Sequence, residues 1–398
     1  MTAARTRGAL AVALSLTVLL AGCGAADPGP AAPPATEGSF YELPDPLPSG
    51  EPGEIVRSEP VENAPEGANA WRVLYHSTDA VGSDILVSGL VIAPDSPAPM
   101  LGRPVVSWGH PTTGAAAACA PSLSTSPFDQ ILGLRELLDA GAVVAATDYS
   151  GLGADGPGSY LVGPTEGANV LDAARAARAL PETGANHDLY LWGFSQGAHA
   201  ALFAGQLAAD YAPDLTLRAV AAAAPPTDLA ALFTSGVADP AGIALTAFAL
   251  DAYSSVYAHR GAELSTVLTP TGVAAVPQIA DLCSTQESEI EPLATPLIGD
   301  YFSADPREVE PWAGILADNS PGATAIGVPV FIAQGEKDTL VAPAVTRAYA
   351  DRACAAGESV SYLSLPSLGH GETAVGALEP VLAWFAQIQN GGTVASDC

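Results

Sequence analysis

The stretch Asp188-Leu189-Tyr190-Leu191-Trp192-Gly193-Phe194-Ser195-Gln196-Gly197-Ala198-His199 decides the fold of this 398-residue chain. Asp188–Trp192 is an apolar run of strand length, and Gln196–Tyr211 carries a helical pattern. Between them lies Gly193-Phe194-Ser195-Gln196-Gly197, a G-x-S-x-G turn. A serine on a sharp strand-to-helix turn is held in a strained conformation with its hydroxyl exposed. Gly193 and Gly197 have no Cβ, so strand and helix can approach each other there. The serine then stands at a helix N-terminus, where backbone N–H groups and the helix dipole favour negative charge.

The same alternation continues on both sides. Trp71–Thr78 and Asp84–Ala93 read as a hairpin about the turn at Ala80–Ser83. Pro104–Trp108, Ala142–Thr147, Leu217–Ala224, Val328–Ala333 and Val360–Leu365 read as further strands. Leu132–Ala140, Glu166–Leu180, Ala342–Ala355 and Thr373–Gln389 read as helices. Strands alternating with helices predict an α/β fold, a mostly parallel sheet with helices on both faces. Residues 227–321 break this rhythm. They hold helix-like segments, Ala241–Tyr257 being the best, with Pro and Gly stops and no strand pattern. A long structureless loop is uncommon, so this segment is expected to be an inserted helical cap. The core is then 54–226 together with 322–398.

A serine hydroxyl needs a base, and the base needs an orienting carboxylate. In the chain order of strand–elbow–helix hydrolases, the acid and then the histidine follow the serine. His370, in the loop after Val360–Leu365, is the expected base. Asp338, in Gly335-Glu336-Lys337-Asp338 after the preceding strand, is the expected acid, with Glu336 as its rival. His199 is near Ser195 in sequence but belongs to the helix packed under the elbow. An oxyanion needs two N–H donors. One is expected from Gln196. The other is expected from Trp108-Gly109-His110-Pro111-Thr112-Thr113-Gly114, after the third expected strand. Pro111 has no N–H, so His110 is the first choice and Thr112 the second.

Lys and Arg number 14 against 43 Asp and Glu, a formal charge of −29. That excludes a basic face for nucleic acid. Gly151-Leu152-Gly153-Ala154-Asp155-Gly156 matches G-x-G-x-x-G, but Pro157-Gly158 follows where a dinucleotide fingerprint must open a helix. No metal-ligand motif is present, so no metal and no cofactor are expected. A monomer is expected.

The N-terminus carries Arg5 and Arg7, then the uncharged stretch Ala9–Leu20, which is short for a membrane span but suits a signal peptide. It ends Leu20-Ala21-Gly22-Cys23, which resembles a bacterial lipobox. Residues 1–22 are expected to be removed and Cys23 to be lipidated, placing the chain at the outer face of the cytoplasmic membrane. Residues 23–53 are rich in proline and read as a semi-rigid tether. The remaining cysteines, Cys119, Cys283, Cys354 and Cys398, are even in number. In an exported chain they suggest two disulfides with three possible connectivities.

Taken together, these motifs resemble the secretory lipase family, the lipase A type of α/β-hydrolase. The resemblance runs from Phe40-Tyr41 to the C-terminus. It rests on the entry around Pro52-Gly53, Leu74-Tyr75-His76-Ser77-Thr78, Gly109-His110-Pro111-Thr112-Thr113-Gly114 and Asp148-Tyr149-Ser150-Gly151-Leu152-Gly153. Gly193-Phe194-Ser195-Gln196-Gly197, Gly335-Glu336-Lys337-Asp338 and Gly369-His370 complete it. The family implies hydrolysis of carboxylic esters, a helical cap over an acyl pocket, and a triad of Ser195, Asp338 and His370. It also implies the pairings Cys119–Cys283 and Cys354–Cys398. Two alternatives to an ester hydrolase are an acyltransferase with the same triad and a non-catalytic lipid-binding envelope lipoprotein. The expected partners are a small-molecule or lipid ester and, through Cys23, the membrane. A Cys23→Ala change is expected to release the protein from membrane fractions or block its processing, as cell fractionation would read, because a diacyl group supplies the two chains that stable anchoring requires.

Overall fold

The computed structural model describes residues 40–398; the signal segment, Cys23 and the first part of the expected tether lie outside them. Nine strands form one sheet: β1 (Ile55–Pro60), β2 (Ala68–Thr78), β3 (Asp84–Pro94), β4 (Arg103–Gly109), β5 (Val143–Thr147), β6 (Ala185–Phe194), β7 (Thr216–Ala223), β8 (Val330–Gly335) and β9 (Val360–Leu365). Their order is β1-β2-β3-β5-β4-β6-β7-β8-β9. The first pairs, through β3–β5, are antiparallel; from β5–β4 onward every pair is parallel.

Because strand side chains alternate between faces, each parallel strand feeds two cores. Leu189 and Leu191 of β6 join one apolar cluster, with α2 (Gly163–Ala179), α3 (Gln196–Tyr211) and α9 (Pro343–Ala355). Tyr190 and Trp192 join the other, with α1 (Leu134–Asp139) and α10 (His370–Gln389). Strands buried on both faces read as near-continuous apolar runs, which is why their sequence pattern is so plain.

One expectation needs correction, and one strand has no counterpart in the sequence pattern. β1 was not foreseen, since Ile-Val-Arg-Ser-Glu-Pro is half polar and ends in proline. Such a sequence suits a sheet edge, where one side needs no partner. Within the stretch expected to continue as tether to Gly53, Phe40–Tyr41 and Gly53 are packed on the fold, while 45–49 are exposed. Phe40 and Tyr41 are buried, the guanidinium groups of Arg57 and Arg72 lie 5.9 and 5.5 Å from the Phe40 ring centre, and the Gly53 N–H donates to the His76 carbonyl at 2.7 Å. Burying two aromatic side chains outweighs the freedom of a proline-rich segment that is already stiff.

Between β7 and β8 the chain forms α4 (Leu229–Ser235), α5 (Pro240–Val256), α6 (Pro270–Ala280), α7 (Glu287–Ala294) and α8 (Trp312–Asp318). These helices share an apolar cluster that includes Phe248, Tyr253, Ile279 and Trp312, joined by Tyr160–Val162 from the loop before α2. Ile243, Phe248 and Leu250 of α5 are fully buried in this packing, whereas Leu245 is half-buried. No helix among the described residues is long and apolar enough to cross a membrane.

Cys119 pairs with Cys283 and Cys354 with Cys398, closing loops of 164 and 44 residues. The first joins the segment after β4 to the segment before α7. Replacing each pair by serines is expected to lower unfolding free energy, measured by denaturant titration, by at most about 5 and about 4 kcal/mol respectively on the chain-entropy account. The longer loop should cost more.

Candidate active site

Ser195 sits at the junction of β6 and α3 with φ 55° and ψ −118°, a conformation an L-residue rarely adopts. Holding a non-glycine residue there costs about 1–3 kcal/mol and persists only when its surroundings over-determine it. They do so here through backbone contacts. The Ser195 N–H donates to the Ala223 carbonyl at 2.9 Å, and the Ser195 carbonyl accepts from Ala198 and His199 at 2.9 and 3.0 Å. A Cβ on Gly193 would overlap the Gly197 carbonyl, and one on Gly197 would overlap the Gly109 carbonyl. The ends of β4 and β6 and the start of α3 therefore meet backbone to backbone. Gly109 is also the register partner of Gly193 across the parallel pair.

The structure brings the expected base and acid to this serine. His370 opens α10, and its Nε2 lies 2.9 Å from Ser195 Oγ. Its Nδ1 lies 2.7 Å from Asp338 Oδ2. A carboxylate only accepts, so Nδ1 carries the hydrogen and Nε2 is free to accept the serine proton. The Asp338 Oδ1 accepts the N–H groups of Leu340 and Val341 at 2.9 and 2.8 Å. Oδ2 also accepts from the Gln334 side chain at 3.0 Å. Burial alone would raise the Asp338 carboxyl. The hydrogen bonds from His370, Val341 and Gln334, with the His370 charge, bring it below the ordinary aspartate value instead. The stability it contributes is thus present above the ordinary range and lost as pH falls through its lowered value.

The rivals stand elsewhere. Glu336 is exposed and accepts from Ser364 Oγ at 2.6 Å. His199 points away from Ser195: its Nδ1 lies 3.2 Å from Glu166 Oε2 and its Nε2 2.8 Å from the Asn319 carbonyl.

The loop after β4 adjoins the start of α3. His110 is buried, with Nδ1 2.7 Å from the Pro111 carbonyl and its ring against Tyr149 at 4.4 Å between centres. Burial lowers its imidazole below the usual histidine value, against hydrogen bonds to the Pro111 and Asp148 carbonyls. Thr112 bonds Tyr160 through its hydroxyl at 2.8 Å and accepts from Ser284 Oγ at 3.1 Å. Gly114 bridges Cys283, so the whole loop is fixed to the segment before α7. The Gln196 N–H, first of its helix, has no intrahelical acceptor. A partly open cavity of about 520 Å³ lies beside Ser284, which bonds the loop after β4, and beside Leu340, two residues past Asp338. It is lined by Ala244, Leu245 and Phe248 of α5, Ile290 of α7, Ser284 and Leu340, with Asp239, Glu287 and Glu291 at its edge.

Residue types alone did not single out Gln334, Glu166 or Asn319. Gln334 reads as a strand residue. Glu166 reads as an ordinary first-turn acid. Asn319 lies after a short helix in the irregular segment. Only the packing shows that all three are fully buried and hydrogen-bonded.

A parallel-stranded core with an elbow serine defines an α/β-hydrolase, and the solved structures with this architecture agree. Candida antarctica lipase A superposes with a TM-score of 0.77 at 22% identity, covering 92% of this chain and 89% of that one. The rice cell wall degrading esterase LipA of Xanthomonas oryzae gives 0.70 at 19% identity, covering 86% and 100%. Residues 118–396 match the family described as secretory lipase, and the chain belongs to that family. Lipase 6 of Candida albicans is 28% identical over 210 residues, 48% of this chain and 44% of the relative. The trichothecene C-3 esterase of Fusarium sporotrichioides is 30% identical over 240 residues, 55% and 52%. A protein of Mycobacterium tuberculosis named a probable inactive lipase is 28% identical over 211 residues, 49% and 46%. The chain spans about half the length of the curated relatives it matches.

Gly197→Ala is expected to abolish the elbow geometry, since its methyl would overlap the Gly109 carbonyl and neither backbone can retreat. Thermal unfolding should show a lowered midpoint, and labelling of Ser195 by a small fluorophosphonate should be lost.

Proposed function

We propose that the chain is an exported serine ester hydrolase of the lipase and carboxylesterase type. The observation that carries this reading is the hydrogen-bonded line Ser195 Oγ to His370 Nε2, and His370 Nδ1 to Asp338, ending on an elbow serine. Membership of the secretory lipase family supports both ester hydrolysis and export. Anchoring through a lipidated Cys23 is the lipobox's contribution to the proposal.

In this mechanism Ser195 Oγ attacks the ester carbonyl carbon while its proton passes to His370 Nε2. The tetrahedral oxyanion is held by the N–H groups of Gln196 and His110, donors that cost no reorganisation. The carbon–oxygen bond to the alcohol breaks, and His370 returns the proton to the leaving alkoxide. Water, losing its proton to His370, then cleaves the acyl-enzyme and restores Ser195. Asp338 holds the imidazole in the required tautomer and stabilises the imidazolium. Residues 227–321 act as the cap, and the cavity beside α5 and α7 receives part of the substrate. Its apolar floor of Ala244, Leu245, Phe248 and Ile290 suits an acyl or similarly hydrophobic group.

The relative named a probable inactive lipase sets the alternative of a family member without turnover. The aligned serine, imidazole and carboxylate favour an active enzyme, because a binding module needs no such set. Ser195→Ala and His370→Ala are each expected to reduce p-nitrophenyl ester turnover by about 10⁴–10⁶-fold, with the double variant little worse, since the residues act as one unit. Asp338→Ala should cost less. A folded His370→Ala protein with near wild-type turnover would overturn the assignment.

A further inference from the structure

Glu166 lies in the first turn of α2 with no exposed surface, directly behind the elbow. Its Oε1 accepts two hydrogen bonds, from the Gln196 side-chain amide at 2.6 Å and from the Leu161 N–H at 3.0 Å. Its Oε2 faces His199 Nδ1 at 3.2 Å, and both side chains are entirely buried. The other ring nitrogen, Nε2, lies 2.8 Å from the Asn319 carbonyl. A carbonyl can only accept, so Nε2 carries a hydrogen. With Nε2 protonated and Glu166 ionised, Nδ1 and Oε2 would confront each other as two lone pairs. A single proton between them removes the conflict and leaves the pair without net charge, whichever atom it is assigned to. A buried carboxylate stripped of its partner would be strongly unfavourable.

The chain of contacts continues outward. Asn319 Oδ1 accepts from the Gly163 N–H at 2.9 Å and from the Tyr257 hydroxyl at 3.1 Å, and Asn319 Nδ2 donates to the Ile315 carbonyl at 2.9 Å. Gly163 opens α2, Tyr257 ends α5 and Ile315 lies in α8. His110, Tyr149, Tyr160 and Tyr253 are titratable groups near enough to feel a charge on Glu166. Burial lowers His110, against hydrogen bonds to two backbone carbonyls, and raises all three tyrosines.

We infer that Glu166 is a positioning residue for the ester reaction: through a proton shared with His199 it fixes Gln196, beside the nucleophile, and ties the elbow to helices α5 and α8. The inference rests on the proposed roles of Ser195 and Gln196. Glu166 touches no reacting atom; it acts through the residue whose N–H is to hold the oxyanion.

The test compares Glu166→Gln with Glu166→Ala. A glutamine keeps the Oε1 acceptor, and its amide donates to a His199 Nδ1 that now bears no hydrogen. Every hydrogen bond survives and the pair remains neutral. Alanine leaves Gln196, Leu161 and His199 without their acceptor. Glu166→Ala is therefore expected to lower kcat about 10- to 100-fold with little change in KM, the scale of a misplaced reacting group. Glu166→Gln should retain most of the wild-type kcat, with the acid limb of its kcat/KM profile at the wild-type pH. Gln196→Met keeps the bulk but cuts the same tether, and should reproduce the kcat loss if Glu166→Ala fails to fold. A folded Glu166→Ala or Gln196→Met protein with wild-type kcat, or a Glu166→Gln protein as slow as Glu166→Ala, would overturn the positioning role. Proton release on unfolding at pH 8, from calorimetry in buffers of different ionisation enthalpy, reads the pair without reference to activity. Wild type should release one proton more than Glu166→Gln; equal release removes the shared proton while leaving the ester reading intact. A wild type that neither hydrolyses esters nor takes the phosphonate removes the ester reading, and the positioning role with it, whatever the proton count.

Discussion

The carbonyl oxygen of Gly109 rests against Gly197 where no Cβ could stand, and the Gly197 carbonyl rests in the same way against Gly193. Three chain segments meet at this point with no side chain between them. The end of β4 leads into the His110 loop, β6 delivers Ser195, and the first turn of α3 aims its free N–H groups at the same space. Side-chain packing could not bring a nucleophile and two candidate donors from separate strands so close together. The unusual Ser195 backbone is one consequence of the contact. Its cost of about 1–3 kcal/mol is small beside the apolar surface that β4, β6 and α3 bury in the cluster they share.

Around that contact the polar groups obey a strict accounting. Asp338 accepts from Leu340, Val341, Gln334 and His370, so its charge can be kept while it is screened from water. Glu166 accepts from Gln196 and Leu161 and faces His199. Two carboxylate–imidazole pairs thus flank one elbow. One imidazole is directed at Ser195 and partly exposed; the other is sealed between α2, α3 and Asn319. The first pair reaches the surface through His370, and the second does not reach it at all. Sequence distance points the wrong way, because His199 is four residues from Ser195 and His370 is 175 away.

That contrast shows how much of the molecule was legible beforehand. The parallel strands were plain because burial on both faces makes each a continuous apolar run, and β9 has the bounds its sequence suggested. Ser195, Asp338 and His370 were legible because the fold places each after a particular strand, so chain order substitutes for geometry. Glu166 was not legible. It is buried because Gly163 and Gly167 let α2 close onto Phe203 and Ala204 of α3, a tertiary event with no local signature. β1 and the packed Phe40–Tyr41 segment were missed for a related reason. Their partners, β2 and the two arginines, are supplied by strands far along the chain, while their own composition is that of a linker.

The helical segment between β7 and β8 is bound to the elbow at two separate places. On one side the Cys119–Cys283 disulfide, the Gly114–Cys283 bridge and the Ser284 hydrogen bonds hold it to the His110 loop. On the other, Asn319 and Tyr257 hold it to α2 and α3 through His199. The cavity beside α5 and α7 lies against the first attachment and against Leu340, two residues from Asp338. Displacing the segment as a rigid body would break a covalent bond on one side and the buried hydrogen bond between Asn319 and His199 on the other. The cavity and the elbow are in this way built from different residues: side chains of α5 and α7 line the one, and the backbone contacts of Gly109, Gly193 and Gly197 hold the other.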